Sequence, residues 1–444
     1  MDFMCFLPPE ILEKILSYID NDDLKNCIQV SDIWRRNIND LCSWKTLCIK
    51  NDWFLENSIN QVSRSTWKQC FWLNFNWYYG FYDTFKLPVC PLTKVHLASD
   101  LVIRVYQNRI EIWSFNVIPR LEQTLTFSHM YRSTVKVFKD FLINQQNTSL
   151  QIYHRLVPAK LYRLYREINL PDGSLGGVDY RKLNNKTNTK DNIVLMKLNE
   201  YYVAVTFKGN QNIFVWNLEI EREWIVAPNI DHIFQMEIEL NVLFIVILDM
   251  TMSCYKVRGF NLDEQVWTLE VILYDNTPFG INPPVIWVNA WFVMSIAEIY
   301  QFQNRYLYSP LKVWNREGRF VALEFPNCSR QPYFQCCLKE NIVIFTINDN
   351  TIAVWEPLGE TITRSFTVER GYDDLQMVPG NAVAISYSNM LQFWDWKIGV
   401  QLQCISFDMR AIARPVVNDQ YYVHENMEDI VFFKFQNSCK TMLL

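Results

Sequence analysis

Ile342-Val343-Ile344-Phe345-Thr346, Asn348-Asp349-Asn350 and Ile352-Ala353-Val354-Trp355 read in succession as strand, turn and strand. Apolar runs this short, separated by turn-forming Asn and Asp, suit a hairpin whose strands are buried on both faces. The second run closes on an apolar-x-apolar-aromatic ending, and that ending recurs. The other copies are Ile110-Glu111-Ile112-Trp113, Leu150-Gln151-Ile152-Tyr153, Ile213-Phe214-Val215-Trp216, Met252-Ser253-Cys254-Tyr255, Leu311-Lys312-Val313-Trp314, Leu391-Gln392-Phe393-Trp394 and Ile430-Val431-Phe432-Phe433. With the aromatic as marker, subtraction gives intervals of 40, 63, 39, 59, 41, 39 and 39 residues. Five of the seven are near 40, so one structural unit repeats through this part of the chain.

That period matches a WD-type propeller blade, a four-stranded sheet packed between its neighbours. Eight copies imply eight blades, or seven if the weak terminal copy is not a blade of its own. The two long intervals call for insertions. The polar run Arg181 to Lys190 suits an exposed loop in the first, and extended loops around Gln301 to Tyr308 suit the second. Only 12 Gly are present, so many turns must rely on Asn and Asp, which tolerate positive φ. Trp394-Asp395 is the sole literal W-D pair among the markers, and the G-H dipeptide of such repeats has no repeating counterpart. Blade stability must then rest mainly on aromatic packing.

The first fifty residues differ in period. Pro8 and Pro9 suit the first turn of a helix, where a missing N–H costs nothing. Ile11, Ile15 and Tyr18 form one apolar stripe, and Leu12, Leu16 and Ile19 a second beside it, more than one small bundle buries. Asn21-Asp22-Asp23 can cap a second helix carrying Leu24, Cys27 and Ile28 and closing at Val30. Ser31 can cap a third with Trp34, Ile38 and Leu41, and Ser43 a fourth with Trp44 and Leu47.

Leu7-Pro8, Glu10-Ile11-Leu12, Ile15-Leu16-Ser17-Tyr18-Ile19, Asp23-Leu24, Val30-Ser31, Trp34-Arg35, Trp44 and Leu47 together resemble the F-box pattern, in register over about fifty residues. Ser43 departs from it, standing where the family usually has Leu. The resemblance implies docking on a Skp-type adaptor, and through it on cullin and RING subunits. By the same resemblance Leu7, Pro8, Ile11, Ile15, Leu16, Leu24, Val30 and Trp34 line that contact or its immediate support. The bundle's own core is the competing role for Trp34, Trp44 and Leu47.

Between module and strands, Trp53, Trp67, Trp72 and Trp77 show no alternation, and Ser65-Thr66 can cap a helix from Trp67 to Leu73. Asn76-Trp77 followed by Gly80 resembles the N-W-x-x-G that precedes the propeller in proteins joining an F-box to WD repeats. The expected organisation is therefore α plus all-β and multidomain: an F-box helical module at 1–50, a helical linker at 51–88, and a WD-repeat-like β-propeller at 89–444.

Half of the 444 residues are hydrophobic and 15% are aromatic, enough for a packed interior. A net charge of −5 argues against nucleic acid as a partner, and the longest apolar run, Val242 to Leu248, is too short to span a bilayer. The expectation is an intracellular protein, cytoplasmic or nuclear, with its 12 Cys reduced. Phosphate-loop, zinc-protease and acyl-transfer motifs are absent, as are the Gly-before-Trp repeat of quinoprotein propellers and the sialidase box. No catalytic residue, metal or cofactor is expected. Arg104, Arg109, Arg132 and Arg155 fall in early blades, where some related receptors use arginines to hold phosphorylated segments; simple surface solvation is the stronger reading, and they are not assigned. The expected role is the substrate-recognition subunit of a Skp-cullin-F-box ubiquitin ligase, its propeller binding an unnamed target protein. The alternative is a non-degradative scaffold that uses the F-box only to bind the adaptor.

Overall fold

The computed structural model describes residues 6–53, 64–89, 94–98, 100–106, 108–115, 118–127, 135–146, 149–156, 161–169, 193–207, 212–220, 222–227, 233–249, 251–252, 254–274, 283–302, 305–308, 311–324, 335–339, 341–348, 350–359, 361–369, 371–407, 415–426 and 428–435. Five helices come first: α1 (Pro9–Tyr18), α2 (Asn21–Val30), α3 (Asp32–Leu41), α4 (Trp44–Lys50) and α5 (Arg64–Tyr79). α1 starts on its proline pair, with Pro8 as N-cap. Asp20, one residue ahead of the expected group, caps α2 by accepting from the Asp23 N–H. Ser31 caps α3 as read, whereas the Ser43 hydroxyl meets that of Thr46 and leaves α4 without a side-chain cap. α5 runs past Leu73 to Tyr79, and Gly80 at φ +73° turns the chain out of it.

Eight four-stranded antiparallel sheets follow among the described residues. Lettered A to D in chain order, seven of them span 94–126, 135–169, 193–226, 233–274, 285–324, 336–367 and 374–406. Strands A of adjoining sheets touch, so they form the inner wall of a ring and strands D its rim. The eighth blade takes strands A to C from Val416–Val417, Tyr421–Glu425 and Asp429–Lys434, and strand D from Asp83–Pro88. That strand was expected in the linker; it belongs to the propeller and stitches the chain's two ends together. An apolar core fills every junction between neighbouring blades. The last one packs Tyr421 and Phe432 of blade 8 against Val102 and Phe115 of blade 1.

In each blade the marker aromatic of strand C pairs with the second residue of strand B, as in Trp113 with Val102, Trp355 with Val343 and Phe433 with Tyr422. Blade 4 corrects the expected repeat. Leu243 pairs there with Phe260, not with Tyr255, which sits at the opposite end of its strand. Gly259 takes the place of the apolar residue before the marker, because Leu269 Cβ would stand 3.0 Å from a Cβ added there. With Phe260 as marker the intervals become 40, 63, 44, 54, 41, 39 and 39 residues. The second insertion is a hairpin, Glu298–Phe302 with Arg305–Tyr308, set between strands B and C of blade 5. The loop expected at 181–190 lies outside the described residues.

Asn and Asp do hold the turns, by a different device from the one expected. Asn199, Asn217, Asn261, Asn289, Asn418 and Asn426 each accept two backbone N–H groups from residues two and three ahead, forming Asx turns. Among the described residues other than glycine, positive φ falls on Lys139, Leu240 and Gln265 as well as on Asp52 and Asn381.

Candidate functional site

α1 divides its two apolar stripes between two environments. Leu12 and Leu16 are buried, Leu16 in a core shared with Leu24, Ile28, Ile38, Trp44 and Leu47. The other stripe faces out: Ile11 is 46% exposed and Tyr18 76%, with Ile15 half-buried between them. Phe6 ahead of the helix is 68% exposed, and Val30 at the end of α2 is 64% exposed. So many large apolar side chains in water on one small module mark an interaction surface.

The eight expected contact residues thus divide into three groups. Pro8, Ile11 and Val30 are exposed; Leu7, Ile15 and Trp34 are half-buried, Trp34 packing on the module core; Leu16 and Leu24 are buried within that core and present no surface. Trp44 and Leu47 are buried as well, which settles them as core. Phe6, Tyr18 and, on α4, Ile49 are exposed as well. Tyr18 was visible as a member of the outer stripe, and Phe6 lies one residue ahead of the recognised pattern.

α5 carries aromatic residues on all sides, and both ends of the molecule use them. Phe71 and Trp72 lie 5.2 and 5.4 Å from Trp44 of α4, and Phe71 lies 5.5 Å from Trp53. Further along, Trp77 stacks on Phe435 at 3.6 Å and donates from Nε1 to the Asp419 carbonyl at 2.6 Å. Asn74 accepts from the Gly380 N–H at 2.6 Å, and Gln403 donates to the Trp77 carbonyl. The module itself touches blade 7 where Asn381 donates to the Asn51 carbonyl and Lys397 meets Asp52 at 2.8 Å. Burial and the Asp395 carboxylate raise the Tyr78 phenol, and burial with Asp22 of α2 does the same to Tyr79. Asp395 belongs to the sole literal W-D pair and also accepts from the Lys397 and Ile398 N–H groups. The helix therefore bolts the exposed apolar module to blades 7 and 8.

The early-blade arginines are already engaged. Arg155 is buried, with Nη1 2.6 Å from Asp100 and 3.5 Å from Asp140. Arg104 is buried and donates to the Pro88 carbonyl. Arg109 pairs with Glu111 at 2.8 Å; burial pushes that carboxyl up, but hydrogen bonds from Arg109, Tyr106 and Trp113 outweigh it and hold Glu111 below its ordinary value. Arg132 lies outside the described residues. Among the described residues no cluster of three or more His, Cys, Asp or Glu is placed to hold a metal ion, and no helix is long and apolar enough to cross a membrane.

Comparison with known proteins follows the same division. A curated relative from Arthroderma otae, the probable E3 ubiquitin ligase complex SCF subunit sconB, is 48% identical over 48 residues, 11% of this chain and 7% of that protein's length. The propeller resembles the computationally designed Ika8 protein at 12% identity and TM-score 0.51, covering 77% of this chain and 95% of that one. It resembles Sqt1 of Saccharomyces cerevisiae at 12% identity and TM-score 0.50, covering 77% and 94%. Both likenesses concern the fold alone. The family model described as F-box-like matches residues 4–50, so this chain carries an F-box-like domain at its N-terminus, joined to an eight-bladed propeller.

Proposed function

We propose that the chain is the substrate-recognition subunit of a Skp-cullin-F-box ubiquitin ligase. The observation that carries this reading is the outward stripe of Ile11, Ile15 and Tyr18 on the F-box-like module, fixed through α5 to a propeller. The sconB likeness, over 48 residues, supports it. The exposed apolar side chains dock the adaptor, which brings cullin and RING subunits; the propeller holds a target protein. The mechanism is proximity: a target held beside a charged conjugating enzyme reacts at high effective concentration, so this chain contributes no acid, base or nucleophile. The setting is the cytoplasm or nucleus.

Co-purification tests it. Adaptor and cullin should both accompany the wild type and be lost with Ile11→Asp, whose side chain supports no core. Recovery of the adaptor without cullin defeats the ligase reading and leaves the scaffold. Retention of both by Ile11→Asp defeats the assigned docking surface.

A further inference from the structure

Register sets one residue of each A strand at the same height around the ring. It is the residue paired with the third position of strand B: His96 with Ile103, Lys136 with Ile143, Lys197 with Ala204 and Glu237 with Phe244 in blades 1 to 4. The four remaining positions of this layer carry no charged side chain. Lys94, two residues before His96, shares its face of the strand. Two lysines of the first layer thus meet one carboxylate, Glu237, while the layer of Lys94 carries Asp374 across the ring in blade 7, where Gln376 donates to it. Glu237 is taken by Lys197 at 2.7 Å, and among the described residues Lys94 and Lys136 have no carboxylate within ion-pair distance. Near both lysines, the His96 Nε2 is buried without a hydrogen-bond partner among the described residues.

We propose that the inner wall of blades 1 and 2 binds a small multivalent oxyanion of the phosphate or pyrophosphate class, held by Lys94, Lys136 and His96. The two ammonium groups give charge-assisted hydrogen bonds, and the imidazole supplies an N–H donor that otherwise has none. Lys94 and Lys136 both reach solvent on this wall; partial burial and the neighbouring Lys197 and Lys94 lower the Lys136 ammonium, which a bound anion relieves. Burial, with Lys136 and Lys94, pulls His96 down to about 4, so it is neutral at pH 7 and binds as a dipole rather than a charge. Glu237 confines the site to one side by neutralising Lys197. This inference is independent of the ligase reading, since it concerns a free anion inside the ring.

Titration calorimetry of the full chain with sodium pyrophosphate, against sodium chloride of matched ionic strength, tests it. Lys136→Gln should weaken binding about tenfold, the loss expected for one charged hydrogen-bond donor. Glu237→Gln should tighten it, because Lys197 is released. Lys139→Gln, which removes a lysine of the A–B turn of blade 2 paired with Glu200, should leave it unchanged. Near-UV circular dichroism checks that each variant is folded. Absence of binding beyond the chloride control overturns the site, as does equal weakening by Lys136→Gln and Lys139→Gln.

Discussion

Single residues set how acid and strain are distributed in this protein. His96 is held down to about 4 by burial and by Lys136 and Lys94, while in the unfolded chain it titrates near ~6.5. The folded state therefore resists a proton that the unfolded state accepts. Its stability contribution is complete above pH ~6.5 and is lost as pH falls toward 4, by up to about 3 kcal/mol. Urea unfolding at pH 7 and pH 4.5 should show a smaller acid loss in His96→Gln than in wild type. Gly380 is the second such point. It has φ +84°, and an added Cβ would stand 2.5 Å from the Asn74 carbonyl of α5. Gly380→Ala should cost ~1–3 kcal/mol, read as a lowered urea midpoint. Neither effect is legible in sequence. A histidine's neighbours across two strands and a glycine's contact with a helix 306 residues earlier exist only once the chain is folded.

At the scale of elements, α1 shows both what a sequence reveals and where it stops. The two stripes follow from helical period, and the F-box resemblance indicates that this helix meets a partner. Which stripe faces inward depends on α2, α3 and α4, and Leu16 and Leu24 proved to be interior. The division has a measurable consequence: Leu16→Ala should cost 2–5 kcal/mol by leaving a cavity, whereas Ile11→Asp should stay within about 0.5 kcal/mol of wild type. Thermal unfolding of the two variants separates them. The repeat was legible because buried strand ends recur with an aromatic, and it misled in blade 4 because Gly259 breaks the pattern while Tyr255 imitates it. The strand Asp83–Pro88 escaped notice for a different reason: it completes a blade whose other strands lie more than 300 residues away.

For the whole molecule, α5 makes the F-box-like module and the propeller one body. Trp77 is buried against Phe435 and Phe393 and hydrogen-bonded to the Asp419 carbonyl, so Trp77→Ala should cost ~3–5 kcal/mol. Limited proteolysis should then cut between module and ring, at sites protected in wild type. Removal of 1–88 should be worse for the propeller than removal of 1–80, because only the former strips strand D from blade 8 and bares the edge of Asp429–Lys434. Size-exclusion chromatography of the two truncations should show aggregation in the first.

The closing strand also imposes an order on biosynthesis. The F-box-like helices leave the ribosome before the blades, yet Asp83–Pro88, and Trp77 for its contacts with Asp419 and Phe435, wait for residues 419 to 435. Loop closure over so long a span is slow, and blades 1 to 7 must stand as an open arc until residues 416 to 434 arrive. A chain terminated early keeps its module but has no seat for Trp77. The joint between α5 and blade 8 thus adds, to the blade 7 contacts of Asn74, Asn51 and Asp52, a clamp that forms only once residues 419 to 435 have been made.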